Sequence, residues 1–146
     1  MMIRPATTDD IPAISELLET ASRELAERHG VAVQDDLILG IITIGIRHGE
    51  AVYVAESDQR VVGYVAWVGG LPGVPKGTVL GAGTYVRPEF RRMGISGELR
   101  AAALRHCREM GYARVRGEAA ATNTAGIESC QRLGFRTVAL LMEVEL

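Results

Sequence analysis

Glycines and arginines gathered between an extended run and a helical run are residue types that hold anions. The segment Val86-Arg87-Pro88-Glu89-Phe90-Arg91-Arg92-Met93-Gly94-Ile95-Ser96-Gly97 has this character. Thr78 to Val86 ahead of it reads as a strand. Behind it, Ile95, Leu99, Ala102, Ala103, His106 and Met110 recur at helical spacing up to Gly111. Backbone N–H groups in the first turn of a helix lack internal partners, and the helix dipole favours negative charge there. Gly94 and Gly97 let a pyrophosphate approach the backbone, while Arg91 and Arg92 offer charge-assisted hydrogen bonds. A tight strand-to-helix turn with solvated arginines accounts for the same residues, so spacing alone leaves both readings open. Neither G-x-x-x-x-G-K-[ST] nor a strand-borne G-x-G-x-x-G is present, which sets aside two familiar nucleotide motifs.

Other reactive types are sparser. Cys107 and Cys130 fit no zinc spacing, and His29, His48 and His106 are scattered, so no metal site is expected. Gly81-Ala82-Gly83 interrupts a β-like run. Glycine within a strand marks a bulge or a close approach by backbone or ligand, or simply a locally poor strand.

The elements that must position these residues follow from periodicity. Ile3 and its neighbours suggest a short first strand. Thr7, Thr8 and Asp9 offer caps for a helix that carries Ile11, Ile14, Leu17, Leu18 and Ala21. Ser22 to Asp36 reads as the end of that helix and a loop, and Leu37, Ile38, Ile41 and Ile42 as a second helix. Ala51–Ala55 and Val61–Val68 are β-rich and flank a hairpin turn. Tyr112 to Gly117 reads as a further strand, Ile127, Cys130 and Leu133 as a last helix, and Phe135 to Leu146 as a closing strand. Trp67 and Tyr64 point to opposite faces of their strand.

Bulk properties narrow the class. At 146 residues, 47% hydrophobic and 23% charged, the chain is expected to fold as one α/β domain over residues 1–146. A net charge of −2 gives no basic field for nucleic acid or an anionic membrane surface. No run approaches the ~20 apolar residues of a membrane span. The N-terminus lacks the apolar stretch of a secretory signal. The expectation is a soluble, cytoplasmic protein with reduced thiols.

The run Arg91-x-x-Gly94-x-Ser96 resembles the pyrophosphate loop R/Q-x-x-G-x-G/A of the GNAT superfamily, the Gcn5-related N-acetyltransferases, with serine as the last small residue. Tyr85 to Arg91 is similar to that family's strand-to-loop lead-in. Asn123 to Gly134-Phe135 is similar to its N-x-x-A-x-x-x-Y-x-x-x-G-F helix. The element order matches from end to end, and the motifs are specific over residues 78–135.

This resemblance implies a mixed, mostly antiparallel central sheet, splayed between strands 4 and 5 and flanked by helices. It also implies acetyl transfer from acetyl-CoA to a primary amine, with no metal and with a homodimer as a family-level expectation. Cosubstrate contacts would fall on Thr84, Tyr85, Val86, Arg91, Arg92, Met93, Gly94, Ile95, Ser96, Gly97 and Asn123. A bulge at Gly81–Gly83 would admit acyl-pantetheine, and a backbone N–H near Thr84 would polarise the thioester carbonyl. An alkylammonium ion must lose a proton before it attacks. Glu118 stands where the family's ribosomal-protein N-terminal acetyltransferases keep their catalytic glutamate; a solvated or salt-bridged carboxylate is the plain alternative. Glu56 is a weaker candidate for the base.

The family's last-helix tyrosine, which protonates the departing CoA thiolate, is replaced by Cys130. Its thiol is acidic enough but falls ångströms short, so water, Ser129 or release of free thiolate would substitute. The replacement favours a second reading, an acyl-CoA-binding module with little or no turnover. A nucleotide-binding enzyme of another kind would instead prefer ATP or NAD to CoA.

Overall fold

The structure is a computed structural model that describes residues 1–146. Strands β1 (Met2–Pro5), β2 (Ala51–Ser57), β3 (Arg60–Val68) and β4 (Thr78–Val86) pair antiparallel in chain order. Strand β5 (Arg114–Arg116) adds parallel to β4, giving the order β1-β2-β3-β4-β5. Helices α1 (Ile11–His29) and α2 (Asp35–Arg47) precede the β2–β3 hairpin. Helix α3 (Ile95–Glu109) connects β4 to β5, and α4 (Thr124–Arg132) follows β5.

Strand alternation splits the core into two layers. Val52, Val54, Tyr64, Ala66 and Val68 meet Ile14 and Leu17 of α1 and Ile42 of α2 on one face. Val62, Val65, Trp67 and Val79 meet Ile95, Leu99, Ala103 and Cys107 of α3 on the other. Tyr64 and Trp67 thus lie on opposite faces, as their odd separation requires.

The entry into α1 is set by one carboxylate. The Thr7 amide donates to Asp10 Oδ2 at 2.8 Å, and Arg4 Nη1 and Nη2 donate to the two carboxylate oxygens at 2.8 and 2.9 Å. The guanidinium holds the Asp10 carboxyl below its usual range, against the opposing effect of burial. Arg4 also donates to Glu56 at 2.9 Å, so β1 is tied to β2 as well as to α1.

One expectation is borne out and one is corrected. The Ser22–Asp36 stretch holds the end of α1, through His29, followed by a loop to the start of α2 at Asp35. The later turns of α1 face solvent, and their polar side chains mask the helical period. The Phe135–Leu146 segment, expected as a closing strand, has no secondary structure, and none of its residues after Phe135 makes a backbone hydrogen bond. Its alternating pattern suits a strand, but a strand exists only when a neighbour pairs with its N–H and C=O groups.

Candidate active site

Strand β4 is distorted where its glycines fall. Val65 of β3 pairs with Thr84 and Trp67 pairs with Gly81, so Ala66 alone faces the two residues Ala82 and Gly83. That two-against-one count is a β-bulge. Gly83 has φ 127°, a backbone state closed to L side chains, and an added Cβ would sit 3.3 Å from the Tyr64 hydroxyl. Pairing with β5 covers only Thr78 to Leu80. From Gly81 to Val86 the outer edge of β4 has no partner strand, and the sheet forks there.

Beyond Val86 the chain makes a short 3-10 turn (Pro88–Phe90) and reaches α3 through Arg91–Gly94. Arg92 and Gly94 take left-handed φ values of 64° and 79°. None of the amides from Arg92 to Gly97 donates to a backbone carbonyl; the first α3 bond is Glu98 N to Gly94 O at 3.0 Å. Six consecutive donors at a helix start therefore remain available to an anion. A cleft of about 140 Å³ opens beside them, lined by Val86, Phe90, Arg91, Arg92, Gly94, Ile95 and Ser96. Ile95 and Leu99 are buried and fix the start of α3 against the sheet. These residues fit a pyrophosphate: free amides, open space above Gly94 and Gly97, and cationic flanks.

The two arginines differ. Arg91 Nε donates to Val86 O at 3.0 Å, Nη2 donates to Glu24 Oε2 at 3.0 Å, and the guanidinium lies 5.3 Å from the Tyr85 ring centroid. It ties the root of the loop to α1. Arg92 is exposed and pairs with no carboxylate, so its charge is free. The Tyr85 hydroxyl donates to Glu24 Oε1 at 2.7 Å. Burial, then the adjacent Glu24, push the Tyr85 phenol up to about 12. Burial raises the Glu24 carboxyl, but hydrogen bonds from Tyr85 and Arg91 outweigh it and leave the group below its ordinary value. Glu24 was missed in the sequence because it falls in the polar half of α1; its only signal is helical phase with Leu17 and Ala21.

The remaining candidates do not line this cleft. Met93 and Gly97 are exposed, and Thr84 is half-buried on the bulged strand. Glu118 stands two residues beyond β5, exposed, with no ion-pair partner. Arg114, at the start of β5, donates to Thr78 Oγ1 at 3.1 Å. Glu56 is engaged with Arg4. Asn123 caps α4, its side chain accepting from Gly126 N at 3.1 Å. Cys130 is a half-buried free thiol, and its neighbour Ser129 accepts a hydrogen bond from Arg100 of α3. Cys107 packs in the core, where burial pushes its thiol up to about 11. No three His, Cys, Asp or Glu side chains gather to hold a metal ion. No helix is long and apolar enough to cross a membrane.

The sequence profile of the Acetyltransferase (GNAT) family matches residues 11–135, and the chain belongs to that family. No curated protein matches the sequence. Among solved structures, a ribosomal-protein-alanine N-acetyltransferase from Brucella melitensis is similar, with TM-score 0.74 and 24% identity over 95% of this chain and 86% of its own. The yncA structure from Salmonella typhimurium, which holds its cofactor acetyl-CoA, has TM-score 0.75 and 25% identity over 94% of this chain and 80% of its own. The aminoglycoside N-acetyltransferase AAC(6′)-Iy in complex with CoA has TM-score 0.67 and 18% identity, covering 99% and 98%. The mixed sheet with parallel β4 and β5, flanked by helices, is thus the GNAT fold expected from the motifs.

Proposed function

We propose that this domain binds acetyl-CoA and transfers the acetyl group directly to a primary amine. The observation that carries this reading is the run of unpaired amides from Arg92 to Gly97 at the head of α3, beside the fork between β4 and β5. The pyrophosphate rests on those amides with Arg92 as its counter-ion, and pantetheine follows the free edge of β4 toward the bulge. Asn123, which caps α4, is assigned to contact the same arm.

The thioester is already activated, so the protein supplies position, proton removal and charge stabilisation. Glu118 takes the proton from the ammonium group, directly or through one water. The neutral amine attacks the thioester carbonyl, whose oxygen gains charge opposite a backbone N–H near Thr84. The C–S bond then breaks, the acetyl group stays on nitrogen, and the second proton shed by that nitrogen passes through water to the CoA thiolate. Cys130 is too short to serve as that acid; the Ser129 hydroxyl, which accepts from Arg100 and keeps its own proton, is the alternative donor.

Cys130 in place of a tyrosine supports a second reading, an acyl-CoA-binding module without turnover. An acetylation screen across small amines and peptide N-termini, run beside a CoA titration, separates the two. CoA binding with acetyl transfer to at least one amine class is expected. Binding without transfer to any acceptor would favour the module, and tighter binding of ATP or NAD than of CoA would remove both.

A further inference from the structure

Tyr64 of β3 is the largest wholly enclosed side chain of the protein, 1% exposed and packed in the layer of Ile14, Leu17 and Ile42. The hydroxyls of Tyr53, Tyr85 and Tyr112 each have a hydrogen-bond partner. That of Tyr64 bonds to no other residue. A phenol buried to its tip without a partner loses hydration and gains nothing in return, so its placement needs a reason. The polar atoms sealed in without a partner are Glu50 Oε2 and Arg87 Nε. The Tyr64 oxygen is not one of them, so its tip meets solvent. It surfaces at the β4 bulge. A Cβ added at Gly83 would stand 3.3 Å from this hydroxyl, and its three nearest atoms would all belong to Tyr64. Gly83 thus leaves open the space over the phenol oxygen that any side chain would fill.

The ladder places this window beside the proposed acyl site. Arg87 N donates to Val62 O at 2.9 Å, which makes Val62 and Arg87 a hydrogen-bonded pair. Bonded and non-bonded pairs alternate along an antiparallel ladder, so Tyr64–Tyr85 is bonded and Val65–Thr84 is not. The Thr84 N–H therefore turns away from β3, toward the free edge of β4, one residue from the window. The amide-rich loop opens α3, which packs on the layer opposite Tyr64, so the α1–α2 side is left for the amine. His29, the last residue of α1, hydrogen-bonds through Nδ1 with Thr122 Oγ1 at 2.8 Å. The chain between β5 and α4, which carries Glu118, thus reaches the α1 side.

We propose that Tyr64 is a further catalytic residue, its hydroxyl oxygen accepting an N–H hydrogen bond from the attacking amine. This assignment rests on the acetyl-transfer reading above. The local field separates it from the other role open to a hydroxyl, donation to the thioester oxygen. Burial, then Asp35 of α2 and Tyr85, hold the Tyr64 phenol above its usual range, so it stays protonated. Glu24 accepts from Tyr85 at 2.7 Å and adds a second carboxylate on this side. A negative field disfavours an oxyanion and favours a nitrogen that is gaining positive charge. As the N–C bond forms, the carbonyl π electrons pass to oxygen beside the Thr84 amide, and the nitrogen becomes cationic. Its N–H bond to Tyr64 then strengthens, so the contact is worth more in the transition state than in the bound amine. Tyr64 keeps its own proton throughout, and the nitrogen sheds its protons as described above.

Tyr64→Phe removes only the oxygen, which has no protein partner, so the variant should melt no lower than the wild type. With n-butylamine as acceptor, kcat should fall by about 10–100-fold while CoA affinity stays unchanged. A second readout is independent of turnover. In protein carrying ring-labelled tyrosine, the Tyr64 resonance is identified by its loss in Tyr64→Phe. Adding n-butylamine to the CoA complex should shift that resonance saturably. Equal kcat in the two proteins, or a Tyr64 resonance indifferent to the amine, would overturn the assignment. Weaker CoA binding by Tyr64→Phe would place the hydroxyl on the cosubstrate and overturn it equally. If the wild type transfers nothing to n-butylamine, the resonance alone decides. A wild-type protein that binds no CoA would end the acetyl-transfer reading and this assignment with it, so the CoA titration tells the two failures apart.

Discussion

The chain up to Cys107 and the chain beyond it are built differently. Every fully buried residue belongs to the first part, where Val54, Val65, Val79 and Leu99 are wholly enclosed. No residue after Cys107 is fully buried, β5 is three residues long, and the tail has no partner. The proposed chemistry divides along the same line. The amide-rich loop is anchored on the packed half through Ile95 and Leu99, whereas Glu118 and Cys130 stand on the loosely covered half. A cosubstrate common to a family can be held by rigid packing. Glu118, proposed to meet the variable acceptor, stands where the core constrains it least.

Five substitutions sharpen or break that contrast, beginning with the largest effect. Glu118→Gln should lower turnover by about 10²–10⁴-fold at neutral pH, as for loss of a general base. CoA affinity and melting temperature should hardly change, because the carboxylate is exposed and unpaired. Activity should recover in part at high pH, where the amine deprotonates unaided. Near-normal turnover at pH 7 would make Glu118 a solvated side chain and nothing more.

Leu99→Ala should cost about 2–5 kcal/mol in denaturant unfolding, as expected for a filled core position. Leu133→Ala, in the half-covered layer, should cost only about 1 kcal/mol. Equal losses would mean that the second half is as tightly packed as the first.

Asp10→Asn removes the charge that joins β1 to the start of α1, at a cost of about 1–3 kcal/mol near neutrality. The folded carboxyl lies below its unfolded value, so its stabilisation is complete above the ordinary carboxyl pKa of about 4 and is lost as pH falls through the lowered value. Urea unfolding of both proteins should therefore differ most at neutral pH and converge in acid. A gap that widens on acidification would contradict the Arg4–Asp10 pairing.

The smallest effect is expected at Cys130. Cys130→Ala should leave turnover within a few-fold and reduce stability by about 0.5–1 kcal/mol. A loss of orders of magnitude in the folded variant, with acetyl trapped on the wild-type thiol, would replace direct transfer by a covalent route.

Much of the packed half was legible in the sequence because burial imposes period. The alternation of β2 and β3, the phase of Ile14, Leu17 and Leu18, and the helical spacing from Ile95 to Cys107 all reflect one buried face. The bulge at Ala82–Gly83 could be read too, since Gly81 and Gly83 serve no purpose in a regular strand. Less could be read where burial is partial. The end of α1 is polar on its solvent side and shows little period, which hid Glu24 and its hold on Arg91. The tail shows the converse limit. Its alternation specifies a strand, but no local pattern says which edge it will join, and here it joins none.

The loop at the head of α3 is the centre of the functional reading, and a titration of CoA against Ser96→Glu tests it most directly. Ser96 lines the cleft in the first turn of α3, where an added carboxylate suits the helix dipole and leaves the fold intact. The same charge would face the incoming pyrophosphate. Wild-type protein should bind CoA, and the variant should melt no lower yet bind CoA at least about 100-fold more weakly, through like-charge repulsion beside the loop amides. Undiminished CoA affinity in a folded Ser96→Glu protein would contradict pyrophosphate binding at this loop.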